Sequence, residues 1–156
     1  MKSGGYVLVL IAALGALSAT AELSAETADD GKAVFARRQD TMKRMGRPLY
    51  LGVGRVVKGK APYTPDTVTA AESLAALAGT LNPNLFARGS DVAESRIKPE
   101  IFANGSQIEQ LIAAVQTAAR KLVPAAKTGD QAEITSAYNA VANACNDCHT
   151  AFRREE

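Results

Sequence analysis

From Ala28 to about Gly59, the apolar residues Phe35, Met42, Met45, Leu49, Val53 and Val56 recur at spacings of three, four and seven. That period lays them along one stripe of an amphipathic α-helix. Arg38 falls on the same stripe. Pro48 lacks an amide donor and clashes with the preceding turn, so it is expected to kink this helix or end its first section. Gly52, Gly54 and Gly59 weaken the far end, which should become irregular beyond about Val57. After a loop over Gly59-Lys60-Ala61-Pro62-Tyr63, Thr64-Pro65-Asp66 combines a threonine cap with proline at the first helical position. A second helix then runs to about Ala78, with Val68, Ala71, Leu74, Ala75 and Ala78 on one face, and Gly79 closes it.

Between Asn82 and Pro99 no period survives, which predicts a surface connection with one helical turn around Leu85. The third helix is expected to open at Pro99-Glu100 and is clearest from Ile108 to Val123. There Ile108, Leu111, Ile112, Val115, Ala119, Leu122 and Val123 share a face. Gly129 ends the next connection, and Asp130-Gln131-Ala132-Glu133 resembles a capping box that opens a fourth helix. Ile134, Tyr138, Val141, Cys145, Cys148, His149 and Phe152 follow at helical steps, so both thiols and the imidazole lie on its buried face. Four amphipathic helices joined by two short connections and one longer one predict an all-α, antiparallel up-down four-helix bundle over residues 22–156.

Composition narrows this. Hydrophobic residues make up 47% of the 156 positions but aromatics only 5%, so Ala and Leu carry the core, as suits closely packed helices. A net charge of +2, with no interleaving of basic and aromatic residues, argues against a nucleic-acid partner. Residues 1–21 have the form of an export signal: Lys2, the apolar run Tyr6 to Leu17, then Ala19-Thr20-Ala21 as a cleavage site, with Ala25 as a later alternative. An uncleaved anchor is the rival, but the run is short for a membrane span. Cleavage leaves 17 basic and 16 acidic side chains, since only Lys2 is lost, and places the mature chain in the periplasm with no membrane span.

Every cysteine and the single histidine of the chain fall in Cys145-Asn146-Asp147-Cys148-His149, a C-x-x-C-H. Two thiols three apart can add to the two haem vinyl groups, and the adjacent imidazole can bind the iron, so the motif reads as covalent attachment of one haem c. Structural zinc would need a fourth ligand from a carboxylate or a second chain. A dithiol redox site normally sits at a helix N-terminus, where the dipole lowers the thiol pKa, whereas this pair lies about fifteen residues inside a helix. A disulfide would close a tiny loop and leave His149 unexplained.

In an antiparallel bundle the early part of helix one faces the late part of helix four. Met42 and His149 then lie within about two turns of the same level, at roughly 1.5 Å per residue. Met42 is thus either core packing or an iron ligand, and the residues alone leave both open.

Arg38-Gln39-Asp40-Thr41-Met42-Lys43, Gly46, the Lys58 to Tyr63 loop, Lys98-Pro99-Glu100-Ile101-Phe102 and Ala144 to Arg153 together make the chain resemble the class II c-type cytochromes. That family comprises four-helix bundles with C-x-x-C-H near the C-terminus, and includes the five-coordinate cytochromes c′ and the low-spin cytochromes c-556. Met42-Lys43 with Gly46 resembles the c-556 branch. The resemblance implies thioether bonds at Cys145 and Cys148, His149 as proximal axial ligand and Met42 as distal ligand, with Met45 a weaker substitute. It also implies Arg38 near the haem propionates, whose bland alternative is a snorkelling surface arginine, and Arg153 as a weaker candidate. Phe102 stands where many relatives carry tryptophan, a departure expected to touch packing rather than ligation.

The function implied is electron transfer between redox partner proteins, without enzymatic chemistry. The alternative is a cytochrome c′ that binds nitric oxide or carbon monoxide at an open distal face. Some relatives form homodimers through helices one and two, and an exposed apolar patch there is the feature to seek. Eight basic residues between Arg37 and Lys60, against the single acid Asp40, form a candidate docking face for an acidic partner.

Overall fold

A computed structural model describes residues 18–155, with side chains from residue 30 onward. Most of the expected export signal lies outside the described residues. Helix α1, Ser18–Gly46, passes without a break into a π-helical segment, Arg47–Val53, and one further α-turn, Gly54–Val57. Helices α2 (Pro65–Gly79), α3 (Gly105–Thr128) and α4 (Gln131–Phe152) complete an antiparallel four-helix bundle, and no β-strand occurs among the described residues. No described helix is long and apolar enough to cross a membrane.

Pro48 neither ends nor sharply interrupts α1. It sits second in the π segment, where the ladder widens and Gly54 N–H donates to Leu49 O, five residues back. A widened turn absorbs a residue that cannot donate to the ordinary i−4 carbonyl. Gly52 and Gly54 also act differently from the expected weakening. A Cβ on Gly52 would fall 2.6 Å from Ala70 Cβ, and one on Gly54 3.1 Å from Tyr138 Oη. At these glycines the continuation of α1 packs closely against α2 and α4.

The α1–α2 loop turns at Gly59 (φ 65°), and Tyr63 ties it to the end of α3 through Oη–H donating to Ala126 O at 2.8 Å. Thr64 N–H then donates to Thr67 Oγ1 at 3.3 Å. Thr67, Ala71, Leu74 and Ala78 form the buried face of α2, while Val68 and Ala75 are only half-buried.

The third helix differs from expectation at both ends. Pro99–Ala103 is a separate 3₁₀ turn, and α3 runs past Pro124 to Thr128, where Gly129 (φ 71°) stops it. Pro124 lies on the exposed side one turn from the end, where the lost hydrogen bond is cheapest. At the next start Asp130 Oδ1 accepts from Glu133 N–H at 2.8 Å. Leu49, Val53, Leu74, Leu122, Ile134 and Val141 form the innermost core, drawn from all four helices.

The 80–104 connection is more than a surface strap. After the 3₁₀ turn Pro83–Phe86 it carries Ser90 and Ser95 into full burial, and Ile97 forms an antiparallel bridge with Arg153 at the end of α4. Lys98 N–H donates to Phe152 O at 2.8 Å and Arg154 N–H to Arg96 O at 2.7 Å, so the connection closes one end of the bundle.

Candidate functional site

Cys145, Cys148 and His149 are half-buried on one side of α4 and open together onto an apolar cleft. Helix α1 lines the same cleft with Met42, Met45 and Leu49, and Gly46 leaves space beside them. Leu74 and Leu81 contribute from α2 and its exit, and Leu111, Ile112 and Val115 from α3. An apolar cleft with a few converging donor atoms is the usual form of a cofactor site.

The electrostatics suit covalent haem better than its rivals. Burial raises the pKa of both thiols, and Cys148 is raised further by Cys145. The pair is therefore held protonated at neutral pH, the opposite of an activated dithiol. Burial lowers the pKa of His149, and the nearby positive charge of Arg153 lowers it further. The imidazole is thus neutral at pH 7, the form that ligates a metal. Both cysteines are free thiols, and among the described residues no three His, Cys, Asp or Glu side chains converge as a cage for a metal ion. The donor set, two thiols and one imidazole against apolar walls, fits a planar macrocycle that brings its own iron ligands and does not fit a zinc knuckle.

Arg38 is 5% exposed and tightly engaged. Nη1 donates to Leu85 O and Ser90 Oγ at 2.8 Å each, and Nη2 to Ser90 O at 2.7 Å and Ser95 Oγ at 2.9 Å. Phe35 and Phe86 lie 5.7 and 5.8 Å from its guanidinium carbon. Burial draws its pKa down and Asp91 opposes the change, but an arginine keeps its charge. It is no snorkelling surface residue: it pins the connection to α1 directly behind Phe86, which lines the cleft. Arg153 is exposed and lies at the end of α4, where its N–H donates to His149 O at 2.8 Å. Phe102 is half-buried beside Arg88 and does not line the cleft.

Three cleft residues escape the sequence pattern. Leu81 and Phe86 belong to the aperiodic connection, and Tyr50 lies off the α1 stripe. Ser90 and Ser95, the partners of Arg38, carry no signal beyond being small and polar.

Comparison with known proteins agrees with this construction. A family model described as Cytochrome C′ matches residues 33–153. The chain is 30% identical to a cytochrome c′ of Rhodocyclus tenuis over 58% of its own length and 71% of the relative's. It is 33% identical to a cytochrome c-554 of Cereibacter sphaeroides, over 67% of its own length and 70% of the relative's. Among solved structures, a variant of cytochrome c′ from Alcaligenes xylosoxidans with bound nitric oxide superposes with a TM-score of 0.71 at 27% identity, covering 81% of this chain and 97% of that one.

Proposed function

The chain belongs to the cytochrome c′ family, and from that premise we propose that it is a periplasmic, low-spin electron carrier with His149 and Met42 as axial ligands. Class II cytochromes carry covalently attached haem c, and Cys145 and Cys148 are the two thiols available to hold it. The haem supplies one-electron chemistry through its iron. The observation that carries the reading is that Met42 and His149 line one apolar cleft from two different helices. In this reading His149 supplies a neutral imidazole nitrogen and Met42 a thioether sulfur.

Leu49, Leu74, Ile112 and Val115 keep water from both ligands, which together with Met/His ligation raises the reduction potential. Two ligands held by packed helices change little between oxidation states. In this reading Cys145, Cys148 and His149 are all committed to holding the haem, so the role proposed is carriage of electrons. Arg38 has four of its five N–H donors committed to the connection. Its contact with a haem propionate, if made, falls to Nε or to exchange of one of those bonds.

A second reading is gas binding at an open distal face. It is favoured by the cytochrome c′ names among the relatives and by the nitric oxide bound in the solved neighbour. An absorption spectrum of the exported, haem-loaded protein with and without carbon monoxide separates the two. The carrier gives a low-spin reduced spectrum that the gas leaves unchanged. A high-spin resting spectrum with ready carbon monoxide binding overturns Met42 ligation.

A further inference from the structure

The aperiodic connection gives the cleft one aromatic side chain, Phe86, at the end of the 3₁₀ turn Pro83–Phe86. That turn packs chiefly against α1, so Phe86 belongs to the wall that carries Met42, whereas the thiols and His149 come from α4. A single 3₁₀ turn has little stability of its own. Phe86 is also only half-buried, so packing alone does not fix its ring.

The chain on either side of Phe86 is tied down. Gln116 Nε2 holds the entry by donating to Leu81 O at 3.0 Å. Arg38 holds the exit, since its guanidinium bonds the Leu85 carbonyl next to Phe86, both oxygens of Ser90 and the hydroxyl of Ser95. Ser90 Oγ–H in turn donates to Ala87 O at 2.7 Å, which closes the chain over residues 87–90. The Phe86 ring centre lies 5.8 Å from the guanidinium carbon, and Gly31 of α1 leaves no room for a Cβ beside Gly89 O. Arg38 itself stands one helical turn before Met42 on the same stripe.

We propose that Arg38, with Ser90 and Ser95, positions Phe86 as the wall that governs the access of small ligands to the haem iron from the Met42 side. The proposal rests on the reading above for haem attachment and for His149 as proximal ligand, and holds whether or not Met42 binds the iron. Arg38 is here a positioning residue that acts through Phe86, a different task from contact with a propionate. A guanidinium suits it, because a rigid planar fork holds acceptors from residues 85, 90 and 95 at once, which a point charge cannot do.

The test is carbon monoxide association with the reduced, haem-loaded protein, followed by stopped flow in Met42→Ala, whose distal face is open under either reading of the function. Ser90→Ala with Ser95→Ala, added to that parent, removes two acceptors of Arg38, changes no charge and leaves the Leu85 and Ser90 carbonyls to keep the fold. Loss of two hydrogen bonds to a charged donor shifts the balance between a seated and a released Phe86 about tenfold or more, and the association rate should rise by that factor. Amide exchange across residues 85–90 should quicken with it. Phe86→Ala should raise the rate at least as far, and adding the serine pair to it should change little, because the latch then has nothing to hold. Tyr63→Phe breaks the bond to Ala126 O outside the cleft and controls for general loosening; its rate should stay at the parent value. An unchanged rate in the serine pair, full additivity with Phe86→Ala, or an equal rise in Tyr63→Phe overturns the proposal. Ligation by Met42 is judged separately, by the carbon monoxide spectrum of the protein with Met42 intact.

Discussion

Met42 and Met45 stand three residues apart on one stripe and line the same cleft, yet they should respond differently to truncation. Met42→Ala is expected to open the iron to carbon monoxide and lower the reduction potential; unchanged spectra would show that Met42 is not the ligand. Met45, 6% exposed, is held by packing, so Met45→Ala should cost about 2–5 kcal/mol in denaturant unfolding with the spectrum preserved. Arg38→Leu removes a fork that satisfies two carbonyls and two serine hydroxyls in a buried site. A loss of about 3 kcal/mol is expected, with faster amide exchange across residues 85–95. Arg38→Lys should recover little of it, since a point charge cannot span four acceptors.

The same reasoning gives the haem-free chain a pH signature. The lowered pKa of His149 contributes stability that is present above the unfolded imidazole value, near 6.5, and is lost as pH falls through the folded value. The raised thiols contribute below the unfolded value of about 9 and lose that contribution as pH rises through theirs. Urea midpoints should therefore fall toward both ends of the scale. In His149→Gln the acid limb should be shallower, and equal limbs would refute the assignment.

Helix α1 continues through Pro48 because its ladder widens, and its glycines are sites of close approach rather than weakness. Gly52→Ala should cost about 1–3 kcal/mol, because its Cβ would meet Ala70 Cβ at 2.6 Å. Adding Ala70→Gly should restore part of that loss, and a double variant no more stable than Gly52→Ala would show that the contact is not the cause. The helices themselves were legible in the apolar period, since an amphipathic stripe must face a core whatever its partner. The π segment, the split at Asn104 and the continuation past Pro124 were not, because each depends on which neighbour fills the space at one end of a helix.

Tyr50 and Leu51 emerge together from the π segment, 49% and 65% exposed, and form the apolar patch on helix one where a second copy is expected to bind. Leu51→Lys should then shift the sedimenting species from dimer to monomer; a monomer in both forms would remove pairing through this face. Across the whole bundle a second depression, bordered by Arg96, Lys98, Arg153 and Arg154, adjoins the cleft on α4, and His149 borders both.

The C-x-x-C-H and the spacing of apolar residues were enough for the cofactor class and a four-helix bundle. Local covalent chemistry and helical period need no knowledge of neighbours. Only the tertiary structure gathered Leu81 and Phe86 into the cleft with Met42, turned Arg38 toward Ser90 and Ser95, and assembled residues 96–98 and 153–154 into one charged corner. Those groups lie far apart along the chain and on segments without period, so their meeting is decided by how the helices pack and where the long connection closes.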